Sequence, residues 1–437
     1  MTHKPSVVLI DMRRSAFARG GKGYLANTRL DKLSVTVLKA LLSKHPKLKV
    51  EDIKEFGLGQ VLDAKELLNM GSAQIAQLAG LPYEMSKFEL NRQCGSSMEV
   101  IHRLSHAIMA DMYDVSLAMG VERMERNLNL FSAKATPITR LNPELFKHHN
   151  ALQQQQADNY RDYFSTDIPD YVLNSAPLCT MLQTAQNVAD TYNISREQCD
   201  AYALQSHHRY QQAYANKIYD DEIVPVSIIP PEFNEDGSIN YQTQNAAMEF
   251  NIDEGYRANA QPASLAALEP VRGVQSYAKQ PIVLTPGNCC PTNDGVSACI
   301  IASKQYAQDH GITPLAEIIG FGVAGIKPQV MGIGPVIAIK QALAYANITL
   351  DEVDYIEFNE AFASQVIATM QELNYPLEKV NVNGGSLAIG HPLGATGIRL
   401  VGTLAKQLKR SNARYGVAAQ CIGAGMGIAT VIKNPDA

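Results

Sequence analysis

The chain has 437 residues, 46% of them hydrophobic and 19% charged, with a formal net charge of −5 and a pI near 6.1. That length and apolar content can bury a large core in roughly two or three domain-sized units, and the mildly acidic balance, with no basic run interleaved with aromatics, excludes nucleic-acid binding. Seven cysteines, an odd number without CxxC spacing in a chain too large to need disulfides, point to a reducing cytoplasm.

Met1-Thr2-His3-Lys4-Pro5-Ser6 leads straight into Val7-Val8-Leu9-Ile10, an apolar run too short for a signal-peptide core or a membrane span. The mature chain is therefore expected to begin at or near Met1, with no membrane insertion. Val37 to Leu42, Leu48 to Ile53 and Phe56 to Leu58 then read as helix, short loop and strand. Cys94 follows in Leu90-Asn91-Arg92-Gln93-Cys94-Gly95-Ser96-Ser97-Met98, where an extended segment gives way to a helix-patterned run through Ile101, Leu104, Ile108 and Met109. A thiol at the first turn of a helix faces unpaired N–H groups and the positive end of the dipole, so Cys94 is expected as a nucleophile favoured in its thiolate form.

From about Glu122 to Phe250 the composition changes: His148-His149, Gln153 to Gln156, many tyrosines and Pro230-Pro231 mark an elaborate insertion. The adjacent histidines lack a third ligand at useful spacing, so no metal is expected there. The best-defined piece is Thr184 to Ala189 followed by Ser195-Arg196-Glu197-Gln198, a capping box opening a helix through Ala213. Past the insertion, Ile339 to Leu343, Ile348 to Val353 and Ile356 to Phe358 repeat the earlier helix, loop and strand. Likewise Asn91 to Gly120 and Asn383 to Gly425 both run from a turn through an amphipathic helix into an apolar strand. Two duplicated α/β halves are the economical reading. Gly390-His391-Pro392 and Cys421-Ile422-Gly423 supply the base and second proton carrier that covalent acyl chemistry needs. Asn359 reads by itself as a helix cap for Glu360 to Gln371.

Four blocks in one order carry a family resemblance: Asn91 to Ser97, Asn359-Glu360-Ala361-Phe362-Ala363, Asn383-Gly384-Gly385 through Gly390-His391-Pro392-Leu393-Gly394, and Cys421-Ile422-Gly423. Together they resemble the signature blocks of thiolases over nearly the whole chain. The resemblance implies an α/β fold, a duplicated five-layer αβαβα core with an inserted loop domain. Residues 1–121 and 251–305 would form the N-terminal half, 122–250 the loop domain for CoA, substrate and oligomer contacts, and 306–437 the C-terminal half.

The same resemblance assigns roles. Cys94 would attack the 3-keto carbon of a 3-ketoacyl-CoA, His391 would take its proton, and Cys421 would protonate the departing acetyl-CoA enolate and later deprotonate CoA. One oxyanion site would be His391 with a water held by Asn359; the other would be the backbone N–H groups of Cys94 and Gly423. Ser264 matches a serine touching the pantetheine arm and Met181 a methionine lining the cavity, while Arg209, Lys217 and Arg257 are cations available to the CoA nucleotide. CoA is a substrate, and neither a metal nor a prosthetic group is implied.

The chain departs from the family pattern at Thr285-Pro286-Gly287-Asn288-Cys289-Cys290-Pro291, where serines become cysteines, at Gln186 for Glu and at Met426 for Gln. The segment from Met124 to Met181 is also longer than the family's usual one. Ser206-His207 and Met331-Gly332-Ile333-Gly334-Pro335 look more like members that degrade fatty acids by β-oxidation. An acetoacetyl-CoA thiolase, a condensing enzyme of fatty-acid or polyketide synthesis, and an inactive acyl-CoA-binding scaffold are the alternatives. Cys421 argues against the condensing enzyme, and intact Cys94, Asn359, His391 and Cys421 argue against the scaffold. A homodimer or homotetramer is implied, as is a hydratase-dehydrogenase partner in some relatives. The ending Asn434-Pro435-Asp436-Ala437 lacks a peroxisomal Ser-Lys-Leu, and a cytoplasmic location is expected.

Overall fold

A computed structural model describes residues 5–62, 64–67, 70–124, 179–235, 239–240, 242–276 and 278–437. In chain order they form β1 (Val7–Arg14), β2 (Ala18–Arg19), α1 (Leu30–Ser43), β3 (Ile53–Gly59), α2 (Gly71–Ala79), β4 (Ser86–Leu90), α3 (Ser96–Met109) and β5 (Val115–Glu122). The insertion contributes α4 (Met181–Tyr192), α5 (Arg196–Ala215), β6 (Val226–Ile228) and β7 (Met248–Phe250), and the segment after it α6 (Pro262–Ala266). There follow β8 (Asn293–Ser303), α7 (Lys304–Asp309), β9 (Ala316–Gly325), α8 (Gly334–Ala346), β10 (Tyr355–Phe358), α9 (Ala363–Leu373), α10 (Ser386–Ile389), α11 (Leu393–Ser411), β11 (Tyr415–Ile422) and β12 (Met426–Lys433).

Strands β5, β8 and β11 are buried along their whole length, as expected for strands with helices on both faces. Among the described residues one sheet runs in the order β10-β11-β12-β9-β1-β8-β5-β3-β4, with β2 paired to β8. Its two halves repeat one pattern. In the first, β1 pairs antiparallel with β8, β8 antiparallel with β5, and β5 parallel with β3. In the second, β9, β12, β11 and β10 follow with the same senses. The parallel edge strand β4 is reduced in the second half to a single bridge between Ile356 and Val380. The halves join where Val7 to Leu9 pair antiparallel with Ile318 to Ala316.

Three apolar cores separate the layers. α1 and α2 cover the outer face of the first half, α8 and α9 that of the second, and the central core holds α3 and α11 side by side between the two halves of the sheet. The central helices come unusually close because α11 carries glycines where it meets α3 and β5. A Cβ on Gly397 would lie 2.3 Å from the Met98 backbone nitrogen, and one on Gly394 2.3 Å from the Val121 carbonyl. Ser97 Oγ accepts the Ile398 N–H at 3.1 Å across the same contact, so no polar group is lost there.

Arg14, fully buried at the end of the first strand, reaches Glu222 of the insertion at 2.9 Å and forks onto Asp253, just past the insertion, at 2.7 and 3.0 Å. The Ser195–Gln198 capping box is formed, and its helix runs to Ala215, slightly beyond the expected Ala213. His148-His149 and Gln153 to Gln156 lie outside the described residues. Among the described residues no helix is long and apolar enough to cross a membrane.

Because a methyl at Gly397 would press on backbone, Gly397→Ala is expected to lower the unfolding free energy by about 2 kcal/mol or more. Gly325→Ala, whose Cβ would meet nothing within 4 Å, serves as the near-neutral control; urea denaturation followed by circular dichroism measures both.

Candidate active site

Cys94 lies in a tight turn between β4 and α3, two residues ahead of the helix start. Gln93 takes a left-handed φ of 49°. Ser96 pins the turn, its hydroxyl donating to Gln93 O at 2.6 Å and accepting from Arg92 N–H at 2.9 Å. The Cys94 carbonyl accepts the Gln420 amide at 2.9 Å, which ties the turn to the end of β11.

The backbone N–H groups of Gly423 and of Cys94 itself favour the thiolate. Its burial nevertheless dominates, and with the nearby Glu122 carboxylate pushes the pKa up to about 11. The expected thiolate preference is therefore overturned: removing the sulfur from water costs its charged form more than the helix start and two N–H donors return. Glu122 is itself pushed up to about 8 by burial, against the pull of the Leu62, Gly394 and Val61 N–H groups.

His391 occupies the matching place in the second half, two residues ahead of α11. Gly390 has φ 113°, and a Cβ there would lie 2.6 Å from the Asn293 side chain, so only glycine fits this turn. Asn293 Oδ1 accepts the His391 backbone N–H at 2.9 Å and fixes the direction in which the ring leaves the chain. The ring places Nδ1 2.7 Å from Thr396 Oγ1 and Nε2 3.2 Å from Asn359 Nδ2. Burial, reinforced by the charge of Arg399, brings its pKa down to about 3, so the imidazole is neutral across the physiological range.

Asn359 follows β10 and is held by its N–H to Ala419 O at 2.9 Å. It is no helix cap: α9 begins later, at Ala363, with Phe362 at the N-cap, and the Asn359 side chain is spent on His391 and Ser386. Cys421 is fully buried near the end of β11, its pKa held well above the ordinary value by burial and by the neighbouring Cys94 and Cys290 thiols. Gln365 of α9 turns its buried amide toward that sulfur and makes no conventional hydrogen bond to oxygen or nitrogen among the described residues. Asn359 thus touches His391 and Cys421 neighbours Cys94, and the Gly397–Met98 contact brings the two pairs to the same end of the central layer.

On the substrate side, a Cβ on Gly423 would stand 3.7 Å from the Met181 sulfur, in ordinary contact. The protein alone therefore does not demand glycine at 423, and Met181 lies beside the Gly423 N–H. Ser264, on exposed α6, donates to Gln261 O at 2.7 Å. Leu265 and Leu268 of the same segment cover Gly287 in the loop carrying Cys289 and Cys290. Arg209 is committed to carbonyls of Leu377, Val380 and Asn381, whereas Lys217 and Arg257 are exposed. Gln186 is fully engaged, accepting from Val283 N–H and donating to Asp190, so its departure from Glu leaves no unmet bond.

Gln365, Ser386, Thr396 and Arg399 escaped the sequence reading. Their one signal is polarity inside otherwise apolar helical runs, as in Ala363-Ser364-Gln365-Val366-Ile367-Ala368.

A half-buried thiol with a raised pKa gives a definite pH response. The rate of Cys94 alkylation by iodoacetamide in the resting protein is expected to climb continuously from pH 7 to 9.5, as more thiolate forms below a pKa of about 11. A plateau starting near neutrality, read by peptide mass spectrometry, would mean a preformed thiolate–imidazolium pair.

Comparison with known proteins agrees with this geometry. Residues 7–305 match the family model described as thiolase, N-terminal domain, and residues 312–434 that described as thiolase, C-terminal domain. The chain is 35% identical to the acetyl-CoA acetyltransferase of Chromobacterium violaceum, over 98% of this chain and 100% of that one. It is also 35% identical to the 3-oxoadipyl-CoA/3-oxo-5,6-dehydrosuberyl-CoA thiolase of Escherichia coli K12, over 98% of each. The crystal structure of human mitochondrial 3-ketoacyl-CoA thiolase superposes with a TM-score of 0.79 at 31% identity, covering 98% of this chain and 99% of that one.

Proposed function

The chain belongs to the thiolase family of acyltransferases, for which CoA is a substrate, and from that premise we propose that it cleaves 3-ketoacyl-CoA with CoA through an acyl-Cys94 intermediate. The observation that carries the reading is the gathering of a thiol with two backbone N–H groups beside it, a neutral imidazole and a second thiol, from the turns ahead of two central helices and the end of β11. Neutral partners suit the first step. His391 accepts the Cys94 proton as the sulfur bonds to the 3-keto carbon, and the Cys94 and Gly423 N–H groups hold the oxygen that becomes anionic. Both helix N-termini add their positive ends to the same place.

Breaking the bond between carbons 2 and 3 then restores the carbonyl as a thioester on Cys94 and leaves the acetyl-CoA enolate. Asn359 and the protonated His391 face the enolate oxygen, and Cys421 gives its proton to the carbon. The Cys421 thiolate so formed receives the thiol proton of incoming CoA, whose sulfur attacks the acyl group. Cys94 leaves as the thiolate and recovers its proton from His391. Gln365 would steady Cys421 while it is anionic. The products are acetyl-CoA and an acyl-CoA two carbons shorter.

We assign the substrate to the linear 3-ketoacyl-CoA of fatty-acid β-oxidation, supported by likeness to human mitochondrial 3-ketoacyl-CoA thiolase along almost the whole chain. The acetyl-CoA acetyltransferase relative favours short-chain condensation as the second reading. The proposed division places the nucleophile in 1–121 with 251–305, the loop domain in 122–250 and the remaining site residues in 306–437, following the strand repeat. A homo-oligomer is supported by β4, an edge strand near exposed Leu78 and Tyr83. The cysteine pattern supports a cytoplasmic location.

Steady-state thiolysis of 3-ketoacyl-CoA from four to sixteen carbons tests the assignment. Wild type is expected to be fastest beyond four carbons, and Cys94→Ala to lose at least about 10⁴-fold in kcat. Activity confined to acetoacetyl-CoA would transfer the assignment to the short-chain reading; equal rates for wild type and Cys94→Ala would exclude an acyl-Cys94 route.

A further inference from the structure

We propose that Ser386 and Arg399 are positioning residues that fix the tautomer of His391, keeping Nε2 bare and Nδ1 protonated in the resting enzyme. The functional reading above supplies the reason a bare Nε2 matters; the hydrogen bonds alone say which nitrogen is bare. The relevant groups form one buried series. Arg399 Nη2 donates to Ser386 Oγ at 2.8 Å, Ser386 Oγ to Asn359 Oδ1 at 2.6 Å, and Asn359 Nδ2 faces His391 Nε2 at 3.2 Å. Beyond the ring, His391 Nδ1 lies 2.7 Å from Thr396 Oγ1, whose hydroxyl donates to Pro392 O at 2.8 Å.

Both ends of the series are chemically one-way. A guanidinium can only donate and a carbonyl can only accept. With Arg399 occupying a lone pair of Ser386, the serine proton goes to Asn359 Oδ1. That sets the amide so that Nδ2 donates to Nε2, which therefore carries no proton. Nδ1–H then donates to Thr396, which passes its own proton to Pro392 O. All five bonds are made. In the reversed arrangement Asn359 flips, Nε2–H donates to Oδ1, and Thr396 turns its proton to Nδ1. The Ser386 hydroxyl then loses its acceptor inside the protein, while the Pro392 carbonyl keeps the Ala395 and Thr396 backbone N–H groups as donors, so the reversed state is one bond poorer with one buried hydroxyl proton unmet.

The fold invests in this orientation. Arg399 is fully buried and pairs with Glu357 at 2.5 Å, and its Nε has no partner among the described residues. An ion pair so placed is a poor source of stability, whereas a donor-only group at the head of the series gives it direction. Ser386 opens the short α10, immediately after Gly384-Gly385, and is likewise fully buried. Neither residue approaches the thiols through any hydrogen bond of its own.

The test uses the full-length protein with ring-¹⁵N histidine, observed without substrate, His391 being assigned by the spectrum lost in His391→Gln. The expected wild-type spectrum shows a bare Nε2 and a protonated Nδ1, unchanged between pH 6 and 9. Ser386→Ala is expected to show a mixture of tautomers, with kcat lower by about ten-fold or more and KM within two-fold. A protonated Nε2 in the wild type overturns the proposal, and so does a Ser386→Ala spectrum identical to wild type. Because the spectra need no turnover, a wild type that shows the expected tautomer but fails to cleave 3-ketoacyl-CoA would sink the functional reading and leave this one standing.

Discussion

The backbone contact between the first turns of α3 and α11 is the constraint on which the site depends. Gly397 against the Met98 nitrogen and Gly394 against the Val121 carbonyl leave no room for a methyl group, so the helices meet at closest approach where each begins. The strand pattern repeats in the two halves, and the loops ahead of these helices are equivalent places in the repeat. Cys94 stands two residues before α3 and His391 two residues before α11. The strand repeat thus brings a thiol and an imidazole to equivalent turns of the central layer, and the glycine contact draws the helices that follow them together. Cys421, near the end of β11, and Asn359, just after β10, enter from the neighbouring strands.

The same close packing sets the electrostatics. Desolvation favours the neutral forms of both groups: the Cys94 thiol is pushed up to about 11 and the His391 imidazole down to about 3. Proton transfer between them at rest would create two poorly solvated charges. The N–H groups of Gly423 and Cys94, the Gln365 amide and the two helix starts form a fixed set of donors for charge that exists only during turnover. Such donors are most effective where water is absent. On this account reactivity comes from preorganised donors and a correctly oriented neutral base.

How much of this was legible in the sequence follows from the range of each interaction. The Cys94 turn, the Gly390-His391-Pro392 bend and the Ser195 capping box are written in consecutive residues, and the repeat in apolar periodicity; all are visible without a structure. The helix after Cys94 is legible but the raised pKa of its thiol is not, because the surroundings of the sulfur depend on Ile422, Gly423 and Gln420 more than 300 residues away. Asn359 looked like a cap because the asparagine precedes a helix, yet α9 begins only at Ala363 and the side chain is claimed by Ser386 and His391. Arg399 and Gln365 were invisible for a related reason. Each sits in a helix whose other residues are apolar, and its partner is set by tertiary packing. Arg209 looked like a free cation until its carbonyl partners were seen.

The most direct test of the account is to mix the protein with a 3-ketoacyl-CoA in the absence of free CoA, quench with acid, and map the adduct by peptide mass spectrometry. The account predicts release of acetyl-CoA and a single acyl thioester on Cys94. An adduct on Cys290 or Cys421 instead, or acetyl-CoA release with no covalent intermediate, would contradict it.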